Sequence, residues 1–255
     1  MVIILNRKNA YLRCLKERGI DEKLRRKLQE DKMYLYDFFN RIGLVSKRVL
    51  NAFLNVPREC FVPKNYLKYA YIDEPLPIGK DATISAISMS LLMCDYALIE
   101  EGDIVLEVGT GSGYQAALIA ELVYAKDDFG NLIRKDETKK VYSTEIEKSV
   151  YEFGVRNLSI TGYLNFIEVK LYDGTLGWPD DIKFDAIIVT AAGEIIPPPL
   201  IEQLKVGGRL IMPLGRGFWQ QLIRLTKTGS GKNDYKIEYL EEVRFVHLKG
   251  KYGTK

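Results

Sequence analysis

The chain has 255 residues, 47% of them hydrophobic, which suits one large α/β domain with a full core and excludes a disordered chain. Its 37 basic and 34 acidic residues nearly cancel, and no run approaches the ~20 apolar residues of a membrane span. Cys14, Cys60 and Cys94 are odd in number and widely spaced, without a C-x-x-C pair. The expectation is therefore a reduced, cytoplasmic protein with neither a zinc site nor a disulfide framework.

Charge is uneven along the chain. Residues 1–50 carry 13 Lys/Arg and 6 Asp/Glu, a balance of +7; against the total of +3, the remainder is −4. Such an arm could dock on a polyanion, but a solvated helix face is the reading preferred here, with nucleic acid not expected as a partner. Residues 7–55 show helical spacing of Tyr11, Leu12, Leu15, Leu24 and Leu28, then a third helix from Val45 to Leu54 that Pro57 ends. The division is a basic helical extension, 1–44, before a main domain, 45–255. Residues 58–80, rich in Pro and Tyr, read as irregular and too broken for a strand. A hydroxyl-rich start at 81–89 leads into a helix to about Ile99.

Asp103–Val108 is a buried strand that breaks into Gly109-Thr-Gly-Ser-Gly113 and a helix. Residues 126–139 form a polar insertion with a hairpin turn at 128–131. Strands follow at Val141–Glu145, Phe166–Leu171, Phe184–Thr190 and Gly207–Gly215, with helices between them and Pro197-Pro-Pro199 opening one. Gln221–Thr226 and Tyr235–Leu248 close the chain as strands. The alternation predicts a mostly parallel, doubly wound sheet.

Ligands of such sheets bind beyond the carboxyl ends of the strands. The glycine turn lacks the Lys-Ser/Thr of a phosphate loop, and Glu107 at the strand end would repel a pyrophosphate. A carboxylate there suits a ligand with a cationic end, as in S-adenosylmethionine. Glu145, ending the next strand, is placed to bind both ribose hydroxyls, and Asp173 to face the adenine edge.

Arg58-Glu-Cys-Phe-Val-Pro63, Tyr71-Ile-Asp-Glu-Pro-Leu-Pro-Ile-Gly79, Thr83-Ile-Ser-Ala86, Glu107-Val-Gly-Thr-Gly-Ser-Gly113, Val189-Thr-Ala-Ala192 and Val243-Arg-Phe-Val-His-Leu248 together resemble the protein-L-isoaspartate (D-aspartate) O-methyltransferase family. The resemblance runs from about Val45 to Lys249. It implies a Rossmann-like class I methyltransferase that methylates the misplaced carboxylate of isoaspartyl, and of D-aspartyl, residues in damaged proteins with S-adenosyl-L-methionine. It further implies Ser85 as the active-site serine and Glu107, Gly109, Thr110, Gly111, Gly113, Glu145, Asp173 and Gly174 as cofactor positions. Thr83, Ile84, Thr190, Ala191 and Gln220 would line the substrate side. Four departures stand out. Ile87 and Ser88 replace the family's Pro-His, Tyr172 replaces a Gly, His247 replaces a Pro, and the arm and the 126–139 insertion are additions. His247, the only histidine, is read as structural and placed in the last strand. Two other readings stay open: a methyltransferase of the same fold with another acceptor such as RNA, and a non-catalytic paralogue. Thr190-Ala-Ala192 stands where base-amine methyltransferases carry an Asn-Pro-Pro-Tyr-type loop, which weighs against the first.

Overall fold

The computed structural model describes residues 2–135, 138–217, 219–231 and 233–254. Residues 136 and 137 of the insertion, and Met1 of the apolar opening, lie outside them.

The arm starts with β1 (Ile3–Ile4) and folds into α1 (Arg7–Arg18) and α2 (Glu22–Ile42), and α3 (Lys47–Asn55) follows it. Asn6 caps α1 by accepting from the Asn9 N–H, and Asp21 does the same for α2 at Leu24. Left-handed Gly19 and Gly43 end the two helices. Much of the arm's positive charge is engaged internally. The Arg7 guanidinium pairs with buried Glu121, Arg18 donates to the Cys60 carbonyl, and Lys32 to those of Leu54 and Val56. Leu5, Ala10, Leu28, Leu35 and Phe39 belong to the same hydrophobic cluster as the sheet residues Val105, Val141 and Ile188.

The arm is also covalently tied. Cys14 on α1 and Cys60 form a disulfide, both sulfurs fully buried, against the expectation of three free thiols. Spacing along the chain could not reveal the pair, because it depends on how α1 lies across residues 58–60.

Residues 58–80 contain more order than their composition suggests. After two 3-10 turns, Arg58–Cys60 and Lys64–Tyr69, β2 (Leu76–Gly79) pairs antiparallel with β3 (Ala82–Ile84). The helix expected from 81 thus begins only at α4 (Ile87–Tyr96), with Asp73 accepting from the Ser88 N–H at its start.

The main sheet comprises β4 (Val105–Val108), β6 (Val141–Glu145), β7 (Ile167–Leu171), β8 (Phe184–Val189), β9 (Leu204–Arg216), β10 (Trp219–Lys227) and β11 (Tyr235–Val243). Their spatial order is β11-β10-β9-β8-β4-β6-β7. The five strands from β9 to β7 run parallel, in keeping with the mostly parallel sheet the sequence predicts, and the closing β9-β10-β11 meander is antiparallel. The helices between them are α5 (Tyr114–Val123), α6 (Lys148–Thr161) and α7 (Pro198–Gln203). Within residues 126–139, β5 (Ile133–Arg134) pairs with β1, so this segment and the arm hold each other.

β11 stops at Val243 rather than Leu248. At Phe245 the backbone N–H and C=O bond to the side-chain amide of Gln220 instead of continuing the ladder. His247 consequently lies in a tail, 244–254, that turns back over the sheet end: Ala192 N–H donates to Val246 O and Leu248 N–H to Ala192 O. Among the described residues no helix is long and apolar enough to cross a membrane.

Candidate active site

Strand order reverses at β4, with β6 and β7 to one side of it and β8 to β11 to the other, and there the loops leave a crevice. A cavity of about 450 Å³ fills it, lined by the ends of β4, β6 and β8, the β2–β3 hairpin and the tail. Gly109, Gly111, Glu145, Gly174, Thr83, Thr190 and Ala191 line it, so seven of the predicted positions converge.

The glycine turn is fastened from behind. Gly109 has φ +99°, and a Cβ there would collide with the Thr190 hydroxyl, which donates to Gly109 O at 2.8 Å. Thr110 faces away from the cavity, its hydroxyl 2.5 Å from that of Ser143. Ser143 in turn donates to the Glu107 carboxyl. Gly113 starts α5 and packs on Leu158 rather than lining the cavity. Gly154 on α6 passes unremarked in the sequence, yet a Cβ there would sit 2.6 Å from Gly111 O. An isolated helix glycine is the available signal for such a close approach.

Glu107 is not a cavity residue. It is fully buried beneath the turn, and one carboxyl oxygen has no hydrogen-bond partner. Burial pushes its carboxyl up to about 8 from 4.5. An uncharged acid below the loop differs from the expected charged partner for a cationic ligand end. Between about pH 4.5 and 8 the folded protein keeps this proton and the unfolded chain has lost it, so rising pH favours unfolding. Glu107→Gln is expected to remove that dependence, with the variant gaining on the parent by up to ~1.4 kcal/mol per pH unit across the window. Denaturant titrations from pH 5 to 8 check this; parallel stability curves for the two proteins would exclude it.

Glu145 does reach the cavity. Its Oε1 accepts from the N–H groups of Ile146 and Glu147, each at 3.0 Å, and its Oε2 from that of Gly111 at 3.0 Å. Of roughly four acceptor positions on a carboxylate, one remains. A single ribose hydroxyl thus fits better than the two expected.

Asp173 is engaged elsewhere. It caps its own turn through Thr175 N–H at 3.0 Å and accepts from the tail at Lys251 N–H, 2.8 Å. The neighbouring Tyr172 lines the cavity in its place. Gln220 is likewise buried and outside the cavity, its amide holding Phe245 and Gly217. Ile84 is in the core. Ser85 sits between β3 and α4, half-buried, and its carbonyl accepts from fully buried Arg58 at 2.7 Å. It is not the N-cap of α4; Ala86 holds that position.

Lys80, Asp81, His247 and Lys249 line the cavity without having been singled out as its residues. Lys80 and Asp81 have φ of 50° and 62°, the positive values a two-residue hairpin turn demands. Holding two non-glycine residues there costs on the order of 1 kcal/mol each, a burden found chiefly at functional sites.

The cavity can be tested for fit to a nucleoside. Turn glycines let a flat ligand approach the backbone, the Glu145 carboxylate offers an acceptor, and the turn holds no basic side chain for a phosphate. Fold and site together define an S-adenosylmethionine-dependent methyltransferase. The chain belongs to the protein-L-isoaspartate (D-aspartate) O-methyltransferase family, whose profile matches residues 30–253. A protein-L-isoaspartate O-methyltransferase of Staphylothermus marinus is 43% identical over 233 residues, 91% of this chain and all of the relative. One from Petrotoga mobilis is 40% identical over 88% of this chain and 98% of its own length. Among solved structures, a protein-L-isoaspartate O-methyltransferase superposes with a TM-score of 0.74 at 29% identity, over 87% of this chain and 67% of that one. A β-aspartate methyltransferase of Plasmodium falciparum, solved with S-adenosyl-L-homocysteine, gives 0.68 at 25% identity, over 85% and 97%.

Proposed function

We propose that the protein methylates the free carboxylate of isoaspartyl residues, D-aspartyl residues included, in damaged proteins and peptides. The observation that carries this is the placing of Thr83, Thr190 and Ala191 on one cavity with Glu145 and the glycine turn. The bound cofactor supplies a methyl group on a sulfonium. The chain's own residues have a modest chemical task, because a carboxylate with a pKa near ~4 is already ionised at neutral pH and needs no general base. They position it. The Glu145 carboxylate holds the sugar, while the β2–β3 hairpin and the tail exclude water, so that opposite charges neutralise in a dry site. Ser85, held through its carbonyl by Arg58 and outside the cavity lining itself, is in this reading the hydroxyl that aligns the acceptor.

Residues 45–255 form the catalytic unit in this reading, with 1–44 as a clasp upon it. It acts in the cytoplasm, where the fully buried Cys14–Cys60 bridge is shielded from reductants.

The deciding experiment offers an isoaspartyl peptide beside its aspartyl twin. Both carry the same ionised group, so selectivity must come from where the backbone puts it. Turnover of the isoaspartyl peptide alone is expected. Ser85→Ala should lower kcat by roughly 10- to 100-fold with a smaller change in KM, the mark of an interaction made in the transition state. Cofactor binding without turnover of any isoaspartyl peptide would instead favour the non-catalytic paralogue.

A further inference from the structure

A second cavity, of about 570 Å³, lies between the arm and the body, away from the glycine turn. α1 and α2 form one wall, and the end of α3 with residues 57–59 forms another. The volume is in the range of small-molecule pockets. Leu5, Leu28, Leu54 and Pro57 make its surface mainly apolar.

The polar groups around it are unequally satisfied. The carboxylate of Glu59 accepts from the hydroxyls of Tyr11, at 2.8 Å, and Tyr71, at 2.5 Å. Lys32 donates to Leu54 O at 2.8 Å and Val56 O at 3.2 Å, which engages two of an ammonium's three N–H groups. Burial lowers its pKa to about 8 despite the nearby carboxylates of Glu59 and Glu121, and the ammonium also lies over the rings of Phe53 and Tyr71. At the rim, Lys8 and Gln29 are exposed, and among the described residues neither side chain has a hydrogen bond or ion pair. Arg7, the remaining cation, is paired with Glu121. Donors and acceptors both remain around the apolar hollow, but two lining cations, Lys8 and Lys32, form no ion pair among the described residues, against one lining carboxylate, that of Glu59.

We propose that this arm cavity binds a small amphipathic anion, its apolar body between α1 and α2 and its carboxylate, sulfonate or phosphate on Lys8 and Lys32. Seven of its fifteen lining residues, those from 5 to 29, precede the stretch matched by the family profile, and the other eight, Lys32 among them, lie within it. The cavity is also adjacent to the catalytic segment. Pro57 and Glu59 line it, and Arg58 between them holds the carbonyls of Ser85 and Glu74.

The test uses the full-length protein saturated with S-adenosyl-L-homocysteine, so that the cofactor cavity is filled, and 8-anilinonaphthalene-1-sulfonate as the probe. One probe molecule per chain is expected, with enhanced fluorescence that the nucleoside does not displace. Met33→Trp, at the half-exposed rim, should weaken it about tenfold by occupying the hollow. Lys8→Glu, on the surface, should weaken it about fivefold through charge reversal. The cation 1-naphthylmethylammonium should bind more weakly than the sulfonate by about tenfold or more. Displacement by S-adenosyl-L-homocysteine, indifference to both substitutions, or equal binding of cation and anion would each overturn the proposal.

Discussion

Removing the Cys14–Cys60 bridge is expected to lower the unfolding temperature by roughly 8–16 °C. The bridge spans 46 positions, and closing a loop of that length in the unfolded chain corresponds to about 4 kcal/mol. For a chain of this size each kcal/mol moves the midpoint by about 2–4 °C. The double variant Cys14→Ala/Cys60→Ala is the suitable comparison, since a single substitution would leave a buried thiol in the gap. Cys94 does not complicate the chemistry: it is buried, and burial pushes its thiol up and keeps it unreactive. Scanning calorimetry of the parent and the double variant provides the number. A shift below a few degrees would mean that the arm's polar contacts alone restrain it. Those contacts are substantial, because Glu121 alone accepts from Arg7, Asn55 and Tyr163 at buried positions. Mass measurement of the unfolded, unreduced chain should find one free thiol.

Local features of the chain carried most of the fold. Val141–Glu145 appears in the structure with the predicted bounds because an apolar run ending in an acid before a helix is a signal contained within a few residues. The glycine turn is equally local. What escaped reading depends on partners distant in sequence. β2 has only four residues, two prolines fall in or beside it, and nothing but its pairing with β3 makes it a strand. Asp173 has the composition of a ligand contact, yet the folded-back tail brings the Lys251 N–H to it. Glu107 shows the same limit in another form. A residue in a strand facing either the crevice or the helix layer beneath has the same sequence signature, and here it faces inward to Ser143. His247 reaches the cavity only because Gln220 replaces the β11 ladder at Phe245.

Replacing Glu145 by alanine is expected to weaken binding of S-adenosyl-L-homocysteine by about 100-fold or more. Two losses combine. The first is a charge-assisted hydrogen bond to a ribose hydroxyl, about 1.5–3 kcal/mol. The second is internal. The N–H groups of Gly111, Ile146 and Glu147 converge on this one carboxylate, and without it they lose the partner that sets the turn against the start of α6. Because Gly111 O packs close to Gly154, movement of the turn would carry into α6 as well. Glu145→Gln separates the two contributions. Its carbonyl oxygen can still accept from Ile146 and Glu147, whereas its amide meets Gly111 N–H donor to donor. The glutamine variant should therefore retain the fold and lose affinity to an intermediate degree. Calorimetric titration of both variants, with thermal unfolding measured alongside, distinguishes a lost ligand contact from a collapsed loop. If the alanine variant bound the nucleoside as tightly as the parent, Glu145 would be a loop fastener alone, and the sugar would have to be held by the backbone of the glycine turn.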